Sequence, residues 1–120
     1  HCKASAESLN LNCNFTHFFK NSNSDVWNKY SGQYIAEIYQ LSKKIFLREK
    51  GSDPNRGYNF SIITQKENKI IAISDRRFSG QGEISITALT LDLDSRNISG
   101  VNTILSDSGN VFDNFYGKCF

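Results

Sequence analysis

Methionine is absent from these 120 residues, proline and tryptophan occur once each (Pro54, Trp27), histidine twice and cysteine three times. Two histidines and three dispersed cysteines show no C-x₂-C or H-x₃-H spacing, so neither a metal site nor a metal cofactor is expected. The eight glycines nowhere form a phosphate-cradling loop, and no organic cofactor is expected either. No apolar run approaches the ~20 residues that a membrane-spanning helix needs. With a net charge of +2 and a pI near 8.5, a surface that tracks phosphates is not demanded, and a nucleic-acid partner is not expected. A chain that begins His1-Cys2 without methionine fits a processed product whose signal peptide was removed. The expected location is therefore secreted or periplasmic.

What the sequence does have is period-2 patterning, concentrated between residues 57 and 105. In Tyr58-Asn59-Phe60-Ser61-Ile62-Ile63-Thr64 the large apolar residues alternate, as on a half-buried strand. A polar stretch, 65–69, follows, with Asn68 as the residue expected to accept positive φ in a hairpin turn. Residues 69–74 carry three isoleucines around Ala72, which suit a pleated surface. A longer connection is read over 75–82, with Ser79, Gly80 and Gly82. Alternation then resumes from Ile84 to Leu93, but Ile84 and Ile86 fall on even positions and Leu89, Leu91 and Leu93 on odd ones. A β-bulge near Thr87 and Ala88 would restore one apolar face. Asp94-Ser95-Arg96-Asn97 reads as a turn before a strand over 98–105, with Gly100 a second bulge or a point of close approach.

The flanking segments extend this meander. Residues 1–8 are polar and expected to be a flexible terminus, and 9–19 alternate as a first strand. Ser24 or Asp25 could cap a short helix near 25–31. Between Trp27 and Phe46 the sequence conflicts with itself. Trp27, Tyr30, Tyr34, Ile38, Leu41 and Ile45 recur at helical spacings, whereas Gly32, the aromatic and β-branched content and a polar turn at Ser42-Lys43-Lys44 favour a hairpin. A hairpin is expected there, with one long helix on the sheet as the alternative. Residues 49–57 around Pro54 read as a surface loop, and 106–110 as a turn before a last strand, 111–119. One domain over 1–120 is predicted, all-β, an antiparallel up-and-down meander of seven or eight strands forming a small barrel or a strongly twisted sheet.

Three cysteines allow three single pairings. Cys13 shares the apolar face of the first strand, and Cys119 an inward face with Val111 and Phe115, so a Cys13–Cys119 bridge is predicted. Two unrelated buried thiols are the alternative. Cys2 is left as a free thiol on a mobile end, through which an otherwise monomeric chain could dimerise. Charge is uneven. Residues 43–56 hold five basic and two acidic side chains and residues 83–113 one basic and five acidic, a pattern that suits opposite solvated faces or a basic patch meeting an acidic partner.

The stretch Ile35-Ala36-Glu37-Ile38-Tyr39-Gln40-Leu41-Ser42-Lys43-Lys44, with Thr90-Leu91-Asp92-Leu93-Asp94-Ser95-Arg96-Asn97-Ile98-Ser99-Gly100 and the closing Tyr116-Gly117-Lys118-Cys119, resembles small uncharacterised exported, effector-like proteins of alphaproteobacteria. The resemblance spans roughly residues 33–120 and implies export, with no activity attached.

Chemistry-bearing constellations are few. Cys13 and His17 could pair as nucleophile and base, but residues four apart on a strand are ~13 Å distant. Asp92 and Asp94 with Asp75 or Asp113 are candidates for acid and base, and alternate aspartates at a strand end are more simply a solvated edge. Three Asn-x-Ser/Thr triplets, at Asn14, Asn59 and Asn97, arise readily by chance among thirteen asparagines. Arg76-Arg77-Phe78 groups charge with an aromatic ring in the 75–82 connection and is the candidate contact for a protein partner, a host protein being one candidate. The expected function is therefore an exported, non-enzymatic protein that binds another protein, as an effector or inhibitor does. A lipocalin-like carrier of a small apolar ligand is the alternative, favoured by fourteen Phe and Tyr, and a small hydrolase the second.

Overall fold

A computed structural model describes residues 8–78, 83–107 and 109–120, with the backbone alone for 75–78 and 83. Cys2 and the connection 79–82 thus lie outside the described residues. Eight strands run in chain order: β1 Leu9–Asn21, β2 Asn28–Tyr39, β3 Lys44–Glu49, β4 Tyr58–Lys66, β5 Lys69–Phe78, β6 Glu83–Asp92, β7 Asn97–Leu105 and β8 Val111–Cys119. Each pairs antiparallel with the next, and β8 returns to β1 to close an up-and-down barrel. Closure gives every strand a hydrogen-bonded neighbour on each side, so that no strand is an edge strand, although β2 above Tyr34 is paired with β1 alone. No helix among the described residues is long and apolar enough to cross a membrane.

The alternation built into each strand sets the interior. Leu11, Cys13 and Phe15 of β1, Ala36 and Ile38 of β2, Ile45 and Leu47 of β3, Phe60 and Ile62 of β4, Ile70 and Ala72 of β5, Leu89 and Leu91 of β6, Ile98 of β7, and Phe115 and Cys119 of β8 form one buried cluster. Cys13 and Cys119 sit directly opposite in the β1–β8 register and form a disulfide. Their neighbours Asn12 and Phe120 exchange both backbone hydrogen bonds, at 3.1 and 2.7 Å. The cysteines therefore occupy the non-hydrogen-bonded position, where facing side chains lie closest. Such a bridge is compatible with an extracytoplasmic location.

Several local expectations are corrected. No helix forms near 25–31. Ser24 Oγ instead accepts from the Val26 amide (3.1 Å) and Asn21 Oδ1 from the Asn23 amide (3.0 Å), turns that compete with helix capping, and β2 begins at Asn28. The hairpin between β2 and β3 does form, with its turn at 40–43 rather than 42–44. Leu41 stands at the tip, 77% exposed. Helical spacing between 27 and 46 was thus a coincidence of a tip residue and a strand face. The connection read over 75–82 is shorter, because Asp75, Arg76, Arg77 and Phe78 continue β5 in register with Ile86, Ser85, Ile84 and Glu83. No bulge interrupts β6. Its register with β5 and β7 is continuous, and Ile84 and Ile86 simply face outward, 48% and 52% exposed, while Ser85 takes the inward place. The bulge lies in β4, between Ile62 and Thr64. Nor is Gly100 a bulge: a Cβ there would strike the Phe115 ring and stand 2.6 Å from the Ala88 carbonyl, so it is a point of close approach. In the β4–β5 turn the left-handed residue is Glu67, at φ 56°, not Asn68.

Strand direction divides the barrel. The start of β1, the end of β8 and the turns 40–43, 67–68 and 93–96 gather at the lower end, and the connections 22–27 and 50–57, with the end of β7 and the start of β8, at the upper. Lower inward positions are aliphatic or half-cystine. The upper ones differ.

Candidate functional site

Moving up each strand along the inward face, the apolar series gives way to His17 after Phe15, Tyr34 and Tyr30 before Ala36, Tyr58 before Phe60, Thr87 before Leu89, Asn102 beyond Ile98 and Gly100, and Asp113 before Phe115. These residues enclose a cavity of about 80 Å³ at the base of the upper end, together with Phe15, Leu47, Phe60 and Phe115. Two recesses open from its walls. One of about 280 Å³ is lined by Phe19, Tyr30, Tyr58, Asn102, Ile104, Val111 and Asp113. Another of about 350 Å³ lies beside Tyr34, Glu49, Ser52, Asp53, Arg56, Gly57 and Tyr58. The sharing of Tyr30, Tyr34, Tyr58 and Asp113 among them makes the three one stepped cup.

His17 is the hinge of the arrangement. Register places it between Tyr30 of β2 and Phe115 of β8. Its ring lies parallel to that of Tyr30, 2° apart in plane with centroids at 4.4 Å, and tilts against Phe115 at 5.6 Å. Phe15 stacks below on Tyr34 (4.6 Å) and on Phe115 (5.1 Å), and Phe19 meets Tyr30 edge-on above. The His17 side chain is 7% exposed, and its Nδ1 lies 3.2 and 3.3 Å from the two carboxylate oxygens of Asp113. A carboxylate can only accept, so in the neutral ring Nδ1–H donates to Asp113 and the lone pair resides on Nε2. Nε2 is buried and has no hydrogen-bond partner among the described residues, a rare condition for a buried polar atom.

The surrounding phenols respond to the same environment. Burial first, then the charges of Asp113, Tyr58 and Glu49, push Tyr30 above its ordinary value, and burial with the same neighbours and Tyr30 raises Tyr34 further. Across the cavity the Thr87 hydroxyl donates to Asn102 Oδ1 at 2.8 Å, leaving the Asn102 amide group to face other partners. The cup thus offers aromatic faces, a carboxylate, an imidazole acceptor and a carboxamide within one small space.

Few of the residues singled out from sequence meet here. Asp113 and His17 do, in a pairing that sequence reasoning did not foresee. Cys13 is in the disulfide, which removes it as a nucleophile for His17. Asp92 and Asp94 lie at the opposite end, where Asp92 Oδ1 accepts from the Asp94 amide (2.9 Å) and orders the β6–β7 turn. The Asp94 amide first, then the Ser95 amide and Lys69, hold its carboxyl below the usual range. Arg76, Arg77 and Phe78 occupy paired backbone positions at the top of β5 rather than a free loop tip, and their side chains lie outside the described residues. A larger groove, about 730 Å³, runs outside the barrel past Lys69, Ile71, Thr90, Ser99 and Tyr116, with solvent-facing side chains and a Lys69–Asp92 pair at 3.9 Å. Comparison with known protein families and with curated proteins finds no match for this chain.

Proposed function

We propose that the protein is a non-enzymatic binding barrel of an extracytoplasmic compartment that receives part of its ligand in the upper cup. The observation that carries this reading is the buried, unpartnered Nε2 of His17 at the cup floor. A buried acceptor left unmet costs about 1–3 kcal/mol, a cost that a ligand's donor removes on arrival. Against catalysis, the Thr87 hydroxyl at the floor directs its proton to Asn102, and Cys13 is held in the disulfide. Against an enclosed apolar carrier, the interior below Phe15 is filled by the aliphatic cluster and the floor cavity is about 80 Å³, whereas drug-sized ligands occupy roughly 300–1,000 Å³. The cup suits a small group that projects from something larger, such as a side chain of the protein partner that an effector or inhibitor, the role expected of this chain from sequence, would bind. Secretion rests on the disulfide and on that same expectation.

A ligand-observed NMR screen of small polar and aromatic fragments tests the reading. Hits should lose binding in Asn102→Leu and Tyr30→Leu and keep it in Tyr116→Ala, which alters only the outer groove. Hits that ignore the cup variants, or no hits at millimolar fragment, would set it aside.

A further inference from the structure

Resting on that reading, we infer that the cup selects a cationic nitrogen, an ammonium or guanidinium group, held against the Tyr30, Tyr34 and Tyr58 rings and received by His17 Nε2 and Asp113. The described polar atoms at the floor are biased toward acceptance. Asp113 is acceptor-only and Nε2 accepts in the neutral ring, whereas the Asn102 amide is donor-only and the Tyr30, Tyr34 and Tyr58 hydroxyls can both donate and accept. Charge agrees. Around the cup β1 contributes His17, β3 Glu49, the 50–57 connection Asp53 and Arg56, and β8 Asp113, while β2 and β4 contribute only tyrosines and β7 none. Arg56 lies in the side recess with Glu49 and Asp53, away from the floor. Thus the floor and the recess above it carry Asp113 without a lysine or arginine among the described side chains.

Tyrosine rings beside a carboxylate suit a desolvated cation, because a π face is negative and holds it within ~6 Å of the ring centre while the carboxylate neutralises it. His17 covers one face of Tyr30 and Phe15 one face of Tyr34, so the opposite faces and the Tyr58 ring are the surfaces on offer. The raised Tyr30 and Tyr34 phenols are consistent with this, since Asp113 and Glu49 both act on them as negative charges, after burial itself. An anion would meet the same field as repulsion. A neutral apolar group would leave Nε2 unmet.

Isothermal titration calorimetry and long-range ¹H–¹⁵N spectra of the imidazole, with n-butylammonium, Nα-acetyl-lysine methylamide and Nα-acetyl-arginine methylamide, decide the matter beside uncharged counterparts, n-butanol and Nα-acetyl-norleucine methylamide. The cations should bind at least tenfold more tightly than their counterparts, more weakly as salt rises, and at least tenfold more weakly in Asp113→Asn. Equal affinity of n-butylammonium and n-butanol for the unmodified protein overturns the inference without recourse to any variant. If the uncharged probes move the His17 signals while cations do not, the cup stands and its cation selectivity falls. If no probe moves them, both fall. Tighter binding of the blocked residues than of n-butylammonium points to a protein side chain as the source, the reverse to a free amine.

Discussion

Tyr30 and Tyr34 carry their environment in their acidity. Both folded-state values lie above the ordinary 10.0, raised first by burial and then by neighbouring negative charge. A raised value means that the contribution of the protonated phenols is intact below the unfolded value and is lost as pH climbs through the folded one. Titration followed by phenolate absorbance should therefore show phenols that ionise only well above 10, together with loss of structure. A titration with no such late phenols would contradict the burial. Gly100 is tested differently: Gly100→Ala forces the Phe115 ring or the Ala88 carbonyl to shift, and overpacking of that kind costs about 1–3 kcal/mol in a denaturant series. The phase of these residues was readable in the sequence, because His17 continues the Leu11, Cys13, Phe15 alternation and Asp113 precedes Phe115 and Cys119 on the same face. Once Cys13 is set opposite Cys119, antiparallel counting puts His17 opposite Phe115 and diagonal to Asp113. What the sequence does not contain is which way an imidazole turns, and so the orphaned Nε2 could not be read from it.

Strand periodicity was the dependable signal, and it failed where outward positions happen to be apolar. Ile84 and Ile86 suggested a bulge only because an inward face was assumed for every isoleucine, yet Ser85 and Thr87 carry the inward face of upper β6, as a polar cup requires. Asp75 to Phe78 looked like loop for the opposite reason: its polarity hides a strand that is defined by its backbone partners. Hydrogen exchange checks this directly. Amides within 75–78 and 83–86 that form the β5–β6 ladder should be protected, and free exchange throughout 75–82 would restore the loop reading. The lower turns offer a second test. Lys43, Glu67 and Arg96 all adopt left-handed φ, between 56° and 66°, one in each hairpin connection. A side chain there costs roughly 1–2 kcal/mol, and glycine regains part of it. Lys43→Gly and Glu67→Gly should each raise the unfolding midpoint slightly, whereas Arg96→Gly also loses the Arg96 Nε donation to the Leu93 carbonyl at 3.1 Å and should gain less.

The molecule as a whole is closed by β1 and β8, so its two ends have different work: a disulfide and aliphatic packing below, polar aromatic side chains above. The bridge joins residues separated by 106 positions, and for a loop near that length chain-entropy reasoning assigns about 4.7 kcal/mol. Cys13→Ser with Cys119→Ser should lower the denaturant midpoint substantially, and an unchanged midpoint would mean that closure does not depend on it. The cup is the claim on which the functional account rests, and the protonation pattern of one ring tests it most directly. A long-range ¹H–¹⁵N spectrum of the neutral His17 imidazole should show a proton on Nδ1, hydrogen-bonded to Asp113, and an unprotonated Nε2 whose resonance shifts when a donor enters the cup. A proton on Nε2 with Nδ1 bare would contradict the account.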